Sequence, residues 1–214
     1  MFDYPVYLNL KDKKCLVAGG GSVAERKVKA LLECGARVYV VSPRITAWLD
    51  EATAGGRITA IRRNYTATDL ENAFLVIGAT DDRRINNRIA EDCAERNIPV
   101  NIVDDPAGCS FIVPAILRQG PLCISVSTEG KSPMLARKIR EDLEMAFGPE
   151  YREFLDLMGS IREHVISSIP EEDRRRDIFY RLVYSDIIDL LRDGKHKKVK
   201  ERIDHVLGSG WTQS

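Results

Sequence analysis

The chain has 214 residues, enough for one sizeable core and a smaller appendage. Apolar residues make up 44% and charged residues 30%, as in a soluble globular protein, and 32 basic side chains balance 32 acidic ones. A formal net charge of zero argues against nucleic acid or an anionic membrane as the main partner.

The N-terminal "MFDYPVYLNLKDKK" meets charge at Asp3, so no signal peptide is expected, and no window approaches the length of a membrane-spanning apolar run. Up to Val113 short β-branched runs alternate with helical patterns. "CLVA" (Cys15–Ala18), "RVYVV" (Arg37–Val41), "ITAI" (Ile58–Ile61), "FLVIGA" (Phe74–Ala79) and "VNIV" (Val100–Val103) are predicted strands. Between the first two, Val23, Lys27, Ala30, Leu31 and Cys34 share one helical face, and Gly35 ends the helix. "RRINNRIAEDCAERN" predicts a second helix over Arg83–Asn97, closed by Asn97 and Pro99. Apolar strands alternating with helices predict a parallel sheet covered on both faces.

After Val113 the pattern changes. "AILRQGPLCISVS" predicts a hairpin turning at Gln119-Gly120-Pro121. A helix follows with Ser132 as N-cap, Pro133 at its first position and an apolar stripe of Leu135, Ile139, Leu143 and Phe147. From Glu150 onward the chain is helical, with breaks at Ile169-Pro170, near Ser185 and at Gly194; Trp211 is expected to pack the tail down. Five cysteines without a C-x-x-C pair predict buried, reduced thiols and a cytoplasmic location.

Gly19-Gly20-Gly21-Ser22-Val23-Ala24 fits G-x-G-x-x-A between a strand and a helix, the context in which such a loop holds the pyrophosphate of a dinucleotide. Gly19 serves the tight turn, Gly21 the approach of backbone to phosphate, and Ala24 close helix–sheet packing. The next strand carries no carboxylate at its end, only Ser42, Pro43 and Arg44, which leaves NAD and NADP both open. Loops after the later strands add Ala79, Thr80 and Asp81, with Asp81 or Asp82 capping the following helix, and then Asn101, Val103, Asp104 and Asp105. No histidine precedes His164, so proton transfer falls to a carboxylate, a lysine or water, and Asp104 is the better placed carboxylate. His164, His196 and His205 lack metal-ligand spacing, and "RDGKHKKVKER" (Arg192–Arg202) is expected to be a solvated face.

"PVYLNLKDKKCLVAGGGSVAERKVKALL", "ATDD", the N-x-V-D of Asn101–Asp104, "SFIVP" at Ser110–Pro114 and "SVSTEGKSPMLARKIRE" together resemble the precorrin-2 dehydrogenase / sirohydrochlorin ferrochelatase family, also found as the N-terminal module of siroheme synthase. The similarity runs from about Pro5 to Leu143; the tail is only loosely similar, and the methyltransferase domain of the fused enzymes has no counterpart here. The resemblance implies an α/β fold: a Rossmann-like parallel-sheet, NAD-binding domain over 1–113, a small hairpin–helix dimerisation region over 114–148, and an all-helical C-terminal domain over 149–214, assembled as a homodimer. It implies NAD-dependent oxidation of precorrin-2 to sirohydrochlorin, with Fe2+ insertion added in some members. Asp104 matches the catalytic aspartate, and Ser22, Val23, Pro43 and Arg44 match NAD-contacting positions. The octacarboxylate substrate needs cations and hydroxyls, for which Ser127, Thr128, Lys131, Ser132 and Arg137 are candidates, with Arg118, Lys138 and Arg140 behind them. The competing reading is a non-catalytic NAD-sensing module, which gives Ser110–Glu141 no role.

Overall fold

A computed structural model describes residues 3–208, which divide into two compact units between Val113 and Pro114. The first unit holds a five-stranded parallel sheet of β1 (Lys14–Ala18), β2 (Arg37–Val41), β3 (Ile58–Ile61), β4 (Leu75–Gly78) and β5 (Val100–Ile102), in the order β3-β2-β1-β4-β5. Helices α1 (Ser22–Glu33), α2 (Ala47–Ala54) and α3 (Arg83–Glu95) connect them. Side chains sort by the two-residue period of a strand. Cys15 and Val17 of β1 join Ala24, Val28 and Leu31 of α1 in one core, while Leu16 and Ala18 join Ile89 and Cys93 of α3 in the other. The sheet is thereby buried on both faces, as its unbroken apolar runs require.

Three sequence expectations need adjusting. Phe74, Ala79 and Val103 fall outside β4 and β5, although the Ala79 and Val103 amides still donate to Ala18 and Gly78 at 2.7 and 2.9 Å as the chain turns away. The inward face of α1 is Ala24, Val28 and Leu31; Ala30 and Cys34 are exposed, and Val23 and Lys27 lie at the flank. The small Ala24 brings the helix close to the sheet, which rotates the expected stripe about a quarter turn away from the core at 100° per residue. Exposure of Cys34 also corrects the expectation of uniformly buried thiols, although all five are free and Cys15 and Cys93 are buried. Helix α2 carried no clear signal; Thr46 starts it by accepting a hydrogen bond from the Leu49 amide at 3.3 Å.

The second unit opens with the antiparallel pair β6 (Ala115–Gln119) and β7 (Leu122–Val126), joined through Gly120 at φ +57°. Helix α4 (Pro133–Ala146) begins with Ser132 accepting from the Leu135 amide at 3.3 Å. Only Ala136 of α4 is buried; Leu135 is 48% exposed, and Ile139, Leu143 and Phe147 are half-buried. Four helices, α5 (Glu150–Ser168), α6 (Glu172–Val183), α7 (Ile187–Arg192) and α8 (His196–Leu207), pack around Phe154, Ile161, Val165, Leu182, Ile187 and Ile203. Trp211 lies outside the described residues. No helix among them is long and apolar enough to cross a membrane.

Candidate nucleotide and catalytic site at the sheet edge

Parallel strands end on the same side, and their registers level those ends. Ala18 pairs with Val41 on one side and with Gly78 on the other, and Gly78 pairs with Ile102. Four loops therefore leave one edge together: Gly19–Gly21, Ser42–Arg44, Ala79–Asp81 and Val103–Asp104. Strand order reverses at β1, so the crevice between the loops after β1 and β4 is the place where such sheets take ligands.

The three glycines have different reasons for being glycine. Gly19 has φ +123°, and a Cβ there would stand 2.2 Å from the Ala79 carbonyl oxygen. A Cβ on Gly20 would stand 2.0 Å from the Arg44 carbonyl oxygen and 2.8 Å from Ser42 Oγ. Gly21 has an ordinary extended backbone (φ −83°), and a Cβ on it would meet nothing within 4 Å. The fold itself does not need a glycine at Gly21, where the space above the loop is open. Gly21 is also the N-cap of α1 and offers no side chain to its first-turn amides, which have no partner within the helix. Open space above unpaired amides at a helix start fits a pyrophosphate.

Around this cradle, Ser42 is buried and its hydroxyl donates to the Arg44 carbonyl at 2.6 Å, so its proton is already committed. The Arg44 guanidinium makes no hydrogen bond or ion pair with any described residue. Thr80 is clamped by Asn86 of α3, a buried side chain that sequence reasoning missed. Asn86 accepts from the Thr80 hydroxyl at 2.8 Å and donates to the Thr80 carbonyl at 3.0 Å. The only sequence sign of it was a polar residue on the inner face of the α3 pattern. Asp82, not Asp81, caps α3 by accepting from the Arg84 amide at 2.8 Å, leaving the Asp81 side chain exposed.

The loop after β5 folds back on its own strand. Asn101 donates to the Phe111 carbonyl at 3.0 Å, Ser110 accepts from the Val100 amide at 2.8 Å, and Cys109 Sγ accepts from the Ile102 amide at 3.1 Å. Burial pushes the Cys109 thiol up, as befits a packing group. Val103 and Phe111 lie on the core that also holds α1. At the bend stands Asp104, exposed, at φ +60°, with its carboxylate bonded to no described residue. Asp105 starts the short turn Pro106–Gly108 and accepts from the Gly108 amide through its carbonyl. Beside Asp104 is Lys27 of α1, half-buried. Its ammonium is pulled below the usual lysine range by burial and by Arg26, against the opposing pull of Cys109 and Asp104.

The substrate candidates lie in the second unit. Ser127 accepts from the Glu129 amide at 3.1 Å and Thr128 from the Ser132 amide at 3.1 Å, which shapes the loop entering α4. Lys131 stands 3.5 Å from Glu129. Arg137, Lys138 and Arg140 pair along α4 with Glu141, Asp142 and Glu144, the pattern of a solvated face. Arg118 is exposed and has no such partner among the described residues. The run from Arg192 is likewise paired, Arg192 with Glu150 and Arg202 with Asp186. His196 stands 3.2 Å from Glu153, His164 and His205 are exposed, and the described residues contain no cluster suited to a metal ion. An open groove of about 640 Å³ runs along α5 and α6, but its cations are occupied: Arg175 donates to the Ile169 and Pro170 carbonyls, and Arg176 pairs with Asp173.

Sheet order, glycine cradle and exposed strand-end carboxylate define a dinucleotide-binding α/β domain carried with a hairpin and a helical bundle. An NAD(P)-binding family model matches residues 6–115, the sirohaem biosynthesis protein central model residues 119–145, and the sirohaem synthase dimerisation model residues 150–207. The chain belongs to this family, an NAD(P)-binding domain continued by the central and dimerisation regions of sirohaem biosynthesis proteins. It is 38% identical to siroheme synthase of Thioalkalivibrio sulfidiphilus over 97% of this chain and 42% of that one. Siroheme synthases of Methylobacillus flagellatus and Salmonella typhi are 37% and 35% identical over 95% and 94% of this chain, each with 44% of its own length covered. The chain thus spans less than half the length of these relatives. The solved structure of SirC, a precorrin-2 dehydrogenase, superposes with a TM-score of 0.79 at 26% identity, covering 95% of this chain and 100% of that one.

Proposed function

We propose that this protein oxidises precorrin-2 to sirohydrochlorin with NAD+ as hydride acceptor, acting as a homodimer. The observation that carries the reading is Gly21, a glycine that the apoprotein does not require, on the same sheet edge as the unpaired carboxylate of Asp104. Its likeness to a precorrin-2 dehydrogenase over that protein's whole chain supports the choice of substrate.

Bound NAD+ supplies the hydride acceptor. The first-turn amides of α1, at Gly21, Ser22 and Val23, would hold its pyrophosphate, and Pro43 and Arg44 would hold its adenosine end. We assign NAD rather than NADP because the turn at Arg44 is backed by the Ser42–Arg44 hydrogen bond and offers a single guanidinium, thin provision for a 2′-phosphate. Ala79, Thr80 and Asp81 form the opposite wall, with Asn101 and Val103 setting the loop that presents Asp104. As hydride leaves the macrocycle, Asp104 takes the proton lost from the adjacent position, which extends conjugation. The same carboxylate suffices to take pyrrole protons if Fe2+ is then inserted into sirohydrochlorin, with iron held by the macrocycle itself. Ser127, Thr128, Lys131, Ser132 and Arg137 are assigned to the substrate's carboxylates. The half-exposed stripe of α4 is assigned to the partner subunit. Five free thiols suit a reducing compartment such as the cytoplasm.

The test is anaerobic incubation with precorrin-2 and NAD+ or NADP+, following sirohydrochlorin absorbance. Turnover faster with NAD+ supports the reading. NAD+ binding without turnover sinks it in favour of a nucleotide-sensing module.

A further inference from the structure

We propose that Lys27 is the ammonium that seats one substrate carboxylate beside Asp104, an assignment that rests on the dehydrogenase reading above. The orientation of α1 carries it. Ala24, Val28 and Leu31 point into the core. Glu25 and Lys29 point to α2, Glu25 accepting from the Thr46 hydroxyl at 2.7 Å and Lys29 standing 4.4 Å over the Trp48 ring. With 100° between successive residues, Lys27 falls on the opposite flank. Val103 and Phe111, which bracket the Asp104 loop, pack on the core that also holds α1, and Lys27 lies within electrostatic reach of Asp104 and Cys109 of that loop. Lys27 therefore stands on the side of α1 turned away from α2, within reach of the loop that carries the proposed base.

The ammonium so placed is short of partners. The Lys27 ammonium makes no hydrogen bond or ion pair with any described residue, although the residue is half-buried and within electrostatic reach of Asp104 and Cys109. A lysine serving only to lock this loop would close on Asp104 as an ion pair. Here the two opposite charges stand in mutual reach without meeting, and a partly desolvated cation without a partner is costly. An anionic group entering between them satisfies the cation, and an octacarboxylate macrocycle brings such groups on flexible arms. Seated there, the arm fixes the ring's register against Asp104. The pyrophosphate is the wrong anion for this cation, because Lys27 stands in the second turn of α1 and the free amides are in the first.

The test uses Lys27→Met, which keeps the stem and removes the charge, and Lys27→Arg, which keeps the charge. Steady-state oxidation of precorrin-2 is expected to show KM raised about 10-fold or more in Lys27→Met with kcat within about 3-fold, the mark of lost ground-state binding. Lys27→Arg recovers most of the loss, and the NAD+ dissociation constant stays within about 2-fold of wild type in both. Binding of uroporphyrin, a stable octacarboxylate probe, followed by fluorescence, weakens in Lys27→Met, while binding of its octamethyl ester does not. Wild-type KM and uroporphyrin affinity in Lys27→Met overturn the proposal, and so does a loss confined to NAD+ affinity. If Lys27→Met fails to fold, Lys27→Gln is read by the same criteria. Failure of the wild type to oxidise precorrin-2 removes the dehydrogenase reading instead, and the uroporphyrin comparison still decides whether Lys27 holds a carboxylate.

Discussion

Asn86 holds Thr80 from two sides, accepting from its hydroxyl at 2.8 Å and donating to its carbonyl at 3.0 Å. The clamp fixes the turn that leaves β4 against the start of α3, so one buried amide controls one wall of the cofactor crevice. Asn86→Ala strands the Thr80 carbonyl and amide, while the hydroxyl keeps the Asp82 carbonyl at 3.0 Å, and a loss of about 1–3 kcal/mol in chemical denaturation is expected. NAD+ affinity should fall with it. Unchanged stability would show that the turn holds its shape without the clamp.

The glycines separate folding from binding. Gly20→Ala drives a methyl into the Arg44 carbonyl and should lower the melting temperature of the apoprotein. Gly21→Ala has free space and should melt as the wild type does, yet lose NAD+ affinity about 10-fold or more, since only the pyrophosphate needs that space. Gly21→Asp adds a capping carboxylate at the start of α1, worth only a few tenths of a kcal/mol over glycine. It should abolish the thermal shift induced by NAD+. Isothermal titration and differential scanning fluorimetry on the three variants check this, and equal NAD+ affinity in Gly21→Ala would refute the placement of the phosphates.

Asp104→Asn removes the proposed base while keeping a side chain that tolerates φ +60°. Precorrin-2 oxidation should slow by roughly 100-fold or more, with melting temperature and NAD+ affinity unchanged. The same variant assayed with sirohydrochlorin and Co2+ reports whether metal insertion shares the carboxylate. A wild-type oxidation rate in Asp104→Asn would move the base elsewhere.

Asp69 links stability to acid. Burial pushes its carboxyl up, but hydrogen bonds from Arg63 and from the Thr66 amide outweigh burial and hold it below the usual carboxylate range. A carboxyl whose value is lowered by folding stabilises the folded state above its unfolded value, and that contribution is lost as pH falls through the folded one. Asp69→Asn should therefore be less stable at neutral pH and lose less stability between pH 5 and 3, as read from urea midpoints across that window. Parallel pH curves for the two proteins would contradict the assignment.

The α4 stripe is the proposed seat of the partner subunit. Leu135→Lys places a charge on a side chain 48% exposed in the single chain, so the fold should survive while light scattering shows the monomer mass. A dimer of undiminished stability would put the interface elsewhere.

Much of the fold was legible because its signals are local. Gly120-Pro121 marks the hairpin, Ser132-Pro133 the start of α4, and Pro170 and Gly194 the helix breaks, each through backbone chemistry that needs no distant partner. The face of α1 was misjudged by about one residue: the stripe was drawn through Val23 and Lys27, whereas their neighbours Ala24 and Val28 are the buried ones, and weakly apolar Ala24 beside Val23 gave little sign of it. Asn86 was invisible for a related reason: a polar residue inside a helical pattern reads as surface until the turn it serves is seen. The motif residues at the sheet edge were nameable from spacing. Spacing did not say that Ser42 is turned inward or that Lys27 flanks the Asp104 loop, because both depend on which way a packed element is rotated.

The left-handed backbone at Asp104 also restricts its chemical replacements. Apart from glycine, asparagine and aspartate adopt that conformation most readily, because a short polar arm can hydrogen-bond the adjacent main chain; glutamate lacks that local advantage, although Glu129 stands at φ +52° in this protein. A short arm for the carboxylate is thereby favoured by the bend itself, before any demand from the substrate. Lengthening the arm by one methylene gives up that local advantage, so the reach of this group is tied to the bend on which it stands.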